Sequence, residues 1–403
     1  MTTRPIDPRE LVPEARDVGG ELALVLTGGG ARGAYQVGVL RHLARRFPGL
    51  RFPILTGVSA GAMNAAFLAQ HEGTLAEATE ALAAIWCRLE PSEVFRVGAW
   101  SLAGSVLGWG SRLVSGGLGG EARTRGLVDT SPLRDLLVRT LKPVNGELPG
   151  IERNIAAGRL RAVALSTTNY ATGNSVVWVQ GREIVTWERP KRRSVHTRIG
   201  VEHVMASAAL PLFFPAVQLG RDWYGDGGMR QAAPLSPALH LGASKLLAIG
   251  TRYQKSTEEA SQPATLGYPP PAQVLGVLYN SIFLDLIDQD VLRLDRLNRV
   301  LEKLPPDRRE GLRVVDIHVM RPSLDLGTIA AKFEPRLPKS FRFLTRGLGT
   351  RKTKSPDLLS LLMFQGDYLR RLVDLGEADA AAQEDRLVEF LGVGIESART
   401  VNP

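Results

Sequence analysis

Short apolar runs alternate with segments of helical periodicity over the first part of the sequence. Residues 22–27 (LALVLT) form an apolar run that ends at a glycine, which is typical of a buried strand. Residues 34–46 place apolar side chains at the spacing of a helix with one buried face. A second strand at 52–56 and a second helix at 60–70 follow. This repeated order of strand and helix predicts a parallel sheet covered on both faces.

The rest of the chain carries similar signals at wider intervals. Further strands are predicted at 161–168, 175–179, 221–224, 245–250 and 313–320. Residues 251–271 are rich in Pro, Ser and Gln, which favours a long surface loop, and residues 272–304 show helical periodicity. Hydrophobic residues make up 44% of the 403 residues, which is enough for a large core. We predict the α/β class, with three layers (α/β/α) around a central, mostly parallel sheet.

Residues 52–71 carry no acidic or basic side chain if histidine is counted as neutral. A run of this length would also suit a membrane span. Proline, glycine and polar side chains interrupt it, at Pro53, Gly57, Ser59, Gly61, Asn64 and Gln70. Such residues suit a lipid-facing helix poorly but are common where a strand turns into a helix. We therefore interpret the run as a strand–turn–helix junction.

Ser59 lies at the turn of this junction, within GVSAG at 57–61. A serine with glycines two positions before and after it, between a strand and a helix, has the context of a nucleophile elbow. Such a turn is sharp and strained, and glycines are needed where a Cβ would collide with the neighbouring backbone. The free N–H groups at the start of the helix would favour negative charge beside the serine. We predict Ser59 as a catalytic nucleophile.

The motif GGGARG at 28–33 also lies between a strand and a helix. It satisfies the dinucleotide-binding pattern, but that function requires an acidic residue about twenty positions later, and no Asp or Glu occurs from residue 22 to 71. Consecutive glycines instead expose backbone N–H groups that can bind an oxyanion. Arg32 adds positive charge beside this loop, although an ordinary ion-paired or exposed arginine is the alternative.

A serine hydroxyl needs a neighbouring base to become a good nucleophile. Asp226 follows the predicted strand at 221–224 and lies in the glycine-rich sequence YGDGG. Aspartate in such a turn is often only a turn former, so this position alone does not identify the base. A Ser-Asp-His triad would instead require a histidine after the acid, and His240 and His318 lie in helix-like and strand-like segments.

The three motifs together resemble the patatin-like phospholipases, especially the bacterial members. That family has a glycine-rich oxyanion loop, a GxSxG serine and a distant Asp-Gly-Gly or Asp-Gly-Ala, which correspond here to GGGARG, GVSAG and DGG at 226–228. The segment HVMASAALPLFFP at 203–215 also resembles bacterial members. More loosely, so do residues 128–137 and 363–380.

The resemblance implies a serine lipid acyl hydrolase of the phospholipase A or lysophospholipase type. Ser59 and Asp226 would form the catalytic dyad, and Gly28, Gly29 and Gly30, with Arg32 beside them, would form the oxyanion hole. The substrate would be a phospholipid or lysophospholipid, and no cofactor or metal is implied. An acyltransferase with the same acyl-enzyme and a catalytically silent lipid-binding module are the alternatives.

The resemblance also suggests a domain organisation. Residues 1–20 would be an N-terminal tail, 21–250 the patatin-like catalytic domain and 251–403 a mainly helical C-terminal part of the same domain with one added strand. An insertion near 92–126 contains the apolar, glycine-rich stretch 97–120. That stretch is compatible with a lid, a membrane anchor or a packed helix.

Charge and cysteine content point to a location and to partners. The net charge is +9, and residues 332–354 hold eight basic residues against one acidic residue. We expect peripheral contact with an anionic membrane surface, and no nucleic-acid partner because no nucleic-acid module accompanies the basic segment. Cys87 is the only cysteine, so it forms no internal disulfide and is expected to be a packed side chain. Residues 1–20 lack the apolar segment of a signal peptide, so we expect a cytoplasmic protein.

Overall fold

A computed structural model describes residues 21–96, 126–231, 233–262, 267–283, 286–353 and 356–392 of the chain. The predicted N-terminal tail and the stretch 97–120 lie outside the described residues, as does most of the predicted insertion at 92–126.

Ten strands and sixteen helices are found in the described part of the chain. The strands are β1 Glu21–Leu26, β2 Ile54–Gly57, β3 Ala162–Asn169, β4 Ser175–Gly181, β5 Glu188–Arg189, β6 Arg192–His196, β7 Val217–Leu219, β8 Asp222–Asp226, β9 Ala243–Ile249 and β10 Asp316–Met320. The helices are α1 Gly33–Arg46, α2 Ala60–Gln70, α3 Leu75–Arg88, α4 Pro91–Val94, α5 Ser131–Leu141, α6 Pro149–Ala156, α7 Val201–Ser207, α8 Ser236–His240, α9 Thr257–Ser261, α10 Pro271–Phe283, α11 Leu286–Leu301, α12 Leu326–Phe333, α13 Lys339–Leu348, α14 Asp357–Leu362, α15 Gly366–Ala382 and α16 Glu384–Leu391.

All ten strands belong to one sheet. Its main path runs β10-β9-β1-β2-β3-β4-β6-β5, and β8 pairs with both β3 and β7. The strands from β10 to β3 are parallel to their neighbours, whereas β4 and β8 both pair with β3 in the antiparallel direction. The carboxyl ends of β1, β2 and β9 therefore lie at one edge, where ligand sites of parallel sheets form.

Side chains from β1 alternate between two cores, one on each face of the sheet. Leu24 and Leu26 belong to the larger core, which includes residues of α1, α2 and α15. Ala23 and Val25 face the other way, into a smaller core that includes Ile287 of α11. Because a strand directs successive side chains to opposite faces, this burial on both sides requires helices on both faces. The predicted three-layer α/β/α fold with helices in the C-terminal part is confirmed.

The sequence located most of the strands and the helices α1, α2, α10 and α11, mostly with shifted ends. The helix predicted at 60–70 has those bounds, and the run 52–71 consists of β2, the turn and α2. The short hairpin of β5 and β6 and the strand β7 were not predicted, and the predicted loop 251–271 contains α9. The predicted helix at 272–304 is two helices, α10 and α11. Within the described ranges, no helix is both long enough and apolar enough to cross a bilayer.

Candidate active site

Ser59 occupies the strained turn between β2 and α2. Its φ is 56° and its ψ is −127°, a conformation that costs free energy for a residue with a side chain. A Cβ on Gly57 would meet the carbonyl of Gly61, and a Cβ on Gly61 would meet the carbonyl of Leu26, so both glycines permit close backbone packing. The Ser59 N–H donates to Ser207 Oγ at 3.1 Å, which helps to hold the turn. This geometry matches the elbow predicted from the sequence.

Asp226 is the last residue of β8, held on both sides by backbone contacts. It pairs with Thr167 of β3, and the Thr168 hydroxyl donates to its carbonyl at 2.8 Å. Its own N–H donates to the Ala209 carbonyl at 3.0 Å. The Gly228 N–H donates to Asp226 Oδ1 at 2.9 Å. These bonds fix both the backbone and one carboxyl oxygen.

The Asp226 carboxyl group is fully buried. Burial raises its pKa to about 7, and the Ser59 hydroxyl and the Gly228 N–H oppose this rise because they favour the ionised form. Within the described residues, Oδ2 has no hydrogen-bond partner of normal geometry. The Ser59 hydroxyl therefore acts on the carboxyl group without forming a hydrogen bond of normal geometry to Oδ2.

The glycine-rich loop lies directly against Ser59. A Cβ on Gly28 would be 3.1 Å from Ser59 Cβ and 3.8 Å from Ser59 Oγ. Gly29 and Gly30 have φ values of 157° and 54°. In the part of the chain that the structure describes, the backbone N–H groups of these three glycines donate to no protein acceptor. Unpaired donors beside a serine hydroxyl are what an oxyanion needs.

Thr251 packs against the glycine-rich loop and holds it in place. It follows β9, is almost fully buried, and donates from its hydroxyl to the Gly28 carbonyl at 2.6 Å. A Cβ on Gly29 would collide with the Thr251 side chain, and one on Gly30 would collide with the Leu361 carbonyl. The second and third glycines are therefore required by close contacts as well as by backbone conformation.

The Arg32 side chain is buried in an ion pair. It is 2% exposed, and its guanidinium donates to Asp357 Oδ1 at 2.7 Å and to Ser360 Oγ at 2.7 Å. Its backbone N–H donates to the Gly29 carbonyl at 3.0 Å. These contacts correspond to the ion-paired alternative for Arg32, and they tie the glycine loop to α14.

An apolar cavity opens beside Ser59. Its volume is about 30 Å³. Its walls combine the glycine loop and the start of α2 with apolar side chains from several elements: Gly29, Gly30, Ser59, Ala60, Met63, Val94, Leu133, Ala208, Leu210, Phe214, Leu361, Leu362 and Phe364. A lining of this character suits an apolar group and offers little to a charged ligand.

A chain of buried polar side chains links the glycine loop with α2 and α3. Gln36 Nε2 donates to the Thr27 carbonyl at 2.8 Å, and Asn64 Nδ2 donates to Gln36 Oε1 at 3.0 Å. Trp86 Nε1 completes the chain by donating to Asn64 Oδ1 at 2.9 Å. Sequence reasoning missed these residues and also Ser207 and Thr251. Asn64 and Gln36 carried one available signal, because each is an uncharged polar residue on the apolar face of a predicted helix.

The two histidines of the alternative triad lie in regular elements. His240 ends α8 and stacks on Trp187 with ring centroids 4.6 Å apart, and burial lowers its pKa to about 4. His318 lies in β10 and contacts Phe390. Neither lines the cavity beside Ser59. In the described ranges, no group of three or more His, Cys, Asp or Glu side chains is placed to hold a metal ion. Cys87 is half-buried and packs against the larger core.

The sequence model of the patatin-like phospholipase family matches residues 24–239, which is more than half of the chain. The chain belongs to the patatin-like phospholipase family. Family membership supports a lipid acyl hydrolase as its activity, and the matched region contains the glycine loop, Ser59 and Asp226. No curated protein sequence matches the chain significantly.

Several solved structures are similar at low sequence identity. VipD from Legionella pneumophila is 13% identical, with a TM-score of 0.33, and the match covers 89% of this chain and 67% of that one. Human GIVD cytosolic phospholipase A2 is 12% identical, with a TM-score of 0.45, and the match covers 97% and 64%. The chain thus spans about two thirds of the length of these two proteins.

Proposed function

We propose that this protein is a serine lipid acyl hydrolase of the phospholipase A or lysophospholipase type, with Ser59 as nucleophile and Asp226 as base. One observation carries the proposal: the Asp226 carboxyl group is fully buried, which raises its pKa to about 7, and the Ser59 hydroxyl favours its ionised form. A carboxylate with a pKa near 7 is a far better base at neutral pH than an ordinary aspartate. The strained turn and the apolar cavity at Ser59 support the same proposal.

In the first half-reaction, the Asp226 carboxylate takes the Ser59 proton while Oγ attacks the ester carbonyl carbon. The carbonyl oxygen becomes an oxyanion that the backbone N–H groups of Gly28, Gly29 and Gly30 stabilise. The tetrahedral intermediate then breaks its bond to the alcohol oxygen. The protonated Asp226 gives its proton to that oxygen, and the acyl group remains on Ser59 as an ester.

Water completes the cycle in the second half-reaction. Asp226 takes a proton from the water, whose oxygen attacks the acyl carbonyl carbon, and the same amides stabilise the second oxyanion. Breakage of the bond to Ser59 Oγ returns the proton from Asp226 to the serine and releases a fatty acid. We propose that the part of the acyl chain next to the carbonyl carbon lies against the apolar wall of this cavity during both steps. We assign Arg32 the role of holding the glycine loop rather than donating to the oxyanion.

Product analysis with phospholipid and lysophospholipid tests this function. The wild type should release fatty acid, whereas Ser59→Ala and Asp226→Asn should not. A fluorophosphonate probe should label the wild type at Ser59 with one equivalent. Absence of labelling in the folded protein would favour a silent binding module, and acyl transfer to an added alcohol in preference to water would favour an acyltransferase. Full hydrolysis by Asp226→Asn would remove Asp226 from the dyad and leave Ser59 as nucleophile.

We propose further that the protein acts in the cytoplasm and contacts anionic membranes peripherally through its basic segment 332–354. We also propose that residues 251–403 complete the catalytic domain. In support, Leu361, Leu362 and Phe364 form part of the cavity wall, and Arg32 is paired with Asp357.

A further inference from the structure

Helix α10 exposes an apolar stripe. No charged residue occurs between Pro271 and Phe283. Val274, Val277 and Leu278 are 54%, 55% and 46% exposed, and their spacing places them on one helix face. The opposite face is anchored, because Tyr279 is buried and its hydroxyl donates to the Pro211 carbonyl at 2.6 Å. An exposed apolar stripe of this kind marks a binding surface more often than a single exposed side chain does.

Helix α13 exposes a different combination, one aromatic ring among basic side chains. Phe343 is 76% exposed, and Lys339, Arg342 and Arg346 lie on the same side of the helix by their spacing of three or four residues. Phe341 faces inward. This outer face has the character of an interfacial helix, with an apolar ring flanked by cations that can reach phosphate groups.

The inner side of α13 connects it to the cavity beside Ser59. The ring of Phe341 lies 5.1 Å from that of Phe95, centroid to centroid. Phe95 in turn contacts Phe214 and Phe364, which both line the cavity. Helix α10 packs against α14, which supplies Leu361 and Leu362 to the cavity wall. Both exposed faces therefore belong to helices that pack against the elements next to the proposed acyl site.

The two helices also adjoin each other. A Cβ on Gly349, just after α13, would lie 2.8 Å from Pro270 Cβ, just before α10. Tyr268, two residues earlier, is 96% exposed at this junction. The apolar stripe and the basic face thus meet at neighbouring helix ends.

The charges at this surface remain largely uncompensated. The single acidic residue of segment 332–354, Glu334, is buried, accepts a hydrogen bond from the Thr350 hydroxyl at 2.6 Å and pairs with Arg351 at 3.7 Å. Arg336 pairs with Asp367 at 2.7 Å. In the part of the chain that the structure describes, Lys339 and Arg346 form no ion pair. Their charge is available to an anionic partner.

We propose that the outer faces of α10 and α13 form one docking surface for an anionic phospholipid bilayer. The apolar stripe and Phe343 would enter the acyl boundary, while Lys339, Arg342 and Arg346 would contact headgroup phosphates. Charge complementarity favours a bilayer over a purely apolar protein partner. Only the role of this surface rests on the proposed lipid hydrolase function: docking would bring the cavity beside Ser59 to its substrate.

Vesicle sedimentation with matched variants tests the surface. Wild type should bind vesicles of phosphatidylcholine with phosphatidylglycerol more tightly than vesicles of phosphatidylcholine alone. The double variant Lys339→Glu/Arg346→Glu should bind the mixed vesicles at least about tenfold more weakly. The control Lys191→Glu/Arg193→Glu makes the same change of charge in the basic β5–β6 region and should bind like wild type. An equal loss of vesicle binding in both double variants would show that only the net charge of the protein matters, and it would overturn the proposal.

The apolar part is tested separately. Val277→Glu should weaken vesicle binding by at least about tenfold, whereas Val185→Glu, at a position 65% exposed in another region, should not. Phe343→Trp should add quenching by brominated lipid over the wild-type background, and Val185→Trp should not. Unchanged binding by Val277→Glu would overturn the proposal. Conversion of a dimer to a monomer by Val277→Glu, without vesicle binding by wild type, would assign the surface to a second copy and also overturn it.

Two further measurements separate this inference from the proposed activity. Ser59→Ala should bind vesicles like wild type, because it leaves both helices intact. The docking variants should hydrolyse a soluble short-chain ester at the wild-type rate but lose activity on vesicles. Vesicle binding by a protein that hydrolyses no ester would retain the docking surface and remove the hydrolase function. Ester hydrolysis by a wild-type protein that does not bind vesicles would retain the hydrolase function and remove the docking surface.

Discussion

At the scale of single residues, the burial of Asp226 makes the proposed reaction dependent on pH. The base must be ionised, and burial raises its pKa to about 7. We therefore expect kcat/KM to rise with pH and to level off above about pH 7, whereas a base with the ordinary aspartate pKa of about 3.9 would be ionised throughout. A pH–rate profile with a soluble ester measures this. A profile that stays flat down to pH 5 would contradict it.

The same carboxyl group should reduce the stability of the folded protein at neutral and higher pH. An unfolded aspartate ionises at about 3.9, but folded Asp226 ionises at about 7. Between these values only the unfolded state loses the proton, so the free energy of unfolding falls as the pH rises through this window. Asp226→Asn removes the effect and keeps an acceptor for the Gly228 N–H.

We expect Asp226→Asn to be more stable than wild type above pH 7, by at most about 4 kcal/mol, and to lose this advantage as the pH falls towards 4. Calorimetric melting at pH 5 and pH 8 measures the difference. Asp316→Asn, at an exposed position of β10, is the control and should follow the wild-type pH dependence. If Asp226→Asn and wild type differed in stability by the same amount at pH 5 and at pH 8, the pKa of Asp226 would not be raised in the folded protein.

The sequence could predict the strained turn at Ser59, because a sharp turn between a strand and a helix is a local structure with a local pattern of glycines. Asp226 was ambiguous from its own turn, and only its combination with the other motifs singled it out. Ser207 and Thr251 were not found, because each acts through a hydrogen bond to a residue far away in the sequence. Contacts of that kind depend on how the sheet brings strand ends together.

At the scale of elements, the pair of Arg32 and Asp357 joins the glycine loop to α14. Asp357→Ala would leave a guanidinium that is 2% exposed without its counter-charge. Because an uncompensated buried charge is costly, we expect the free energy of unfolding to fall by about 3 kcal/mol. Ester hydrolysis should also decrease, since the loop carries the proposed oxyanion donors. Denaturant unfolding and a soluble ester assay measure the two effects.

Asp367→Ala is the matched control for this element. Asp367 is also an acid in the first turn of a helix and also pairs with an arginine, Arg336, but that pair is 64% and 36% exposed. An exposed pair contributes at most about 1 kcal/mol, so this variant should unfold nearly like wild type. If the free energy of unfolding fell by similar amounts in Asp357→Ala and Asp367→Ala, the burial of Arg32 would not increase the cost of losing its partner.

Element prediction succeeded where periodicity was strong over several residues. The run of β1, α1, β2 and α2 was predicted because fully buried strands are uniformly apolar and α1 has a clear apolar face. The hairpin of β5 and β6 was missed because its strands are short, carry charged side chains and lie at the sheet edge. Their pairing depends on the neighbouring strand β4, which a local pattern does not reveal.

At the scale of the whole molecule, the C-terminal part packs onto the region that the family model matches. The contact between α1 and α15 is very close, because a Cβ on Gly376 would collide with the Tyr35 carbonyl and one on Gly38 with the Val373 carbonyl. Sequence analysis predicted helices after residue 250 but could not predict this crossing. The small residues that permit it lie more than 300 positions apart in the chain.

This crossing leads to a test of whether the chain unfolds as one unit. We expect Gly376→Ala to destabilise the protein by about 2 kcal/mol, because the added methyl group meets backbone that has no room to move, despite the better helix propensity of alanine. Gly347→Ala, in α13, is the matched control. Apart from its chain neighbours and its own helix backbone, no described residue places an atom within 4 Å of the added Cβ, so this variant should be more stable than wild type by about 0.5–1 kcal/mol.

If residues 251–403 belong to the catalytic domain, thermal unfolding should show a single transition that Gly376→Ala shifts downwards as a whole. Loss of ester hydrolysis should follow the same transition, because α1 begins directly after the glycine loop and moves with it. Calorimetry and residual activity after heating measure these two properties on the same samples. The opposite outcome is two separate transitions, with activity lost only in the transition that Gly376→Ala leaves unchanged. It would make the C-terminal part an independent domain and show that the site does not need the contact between this part and α1.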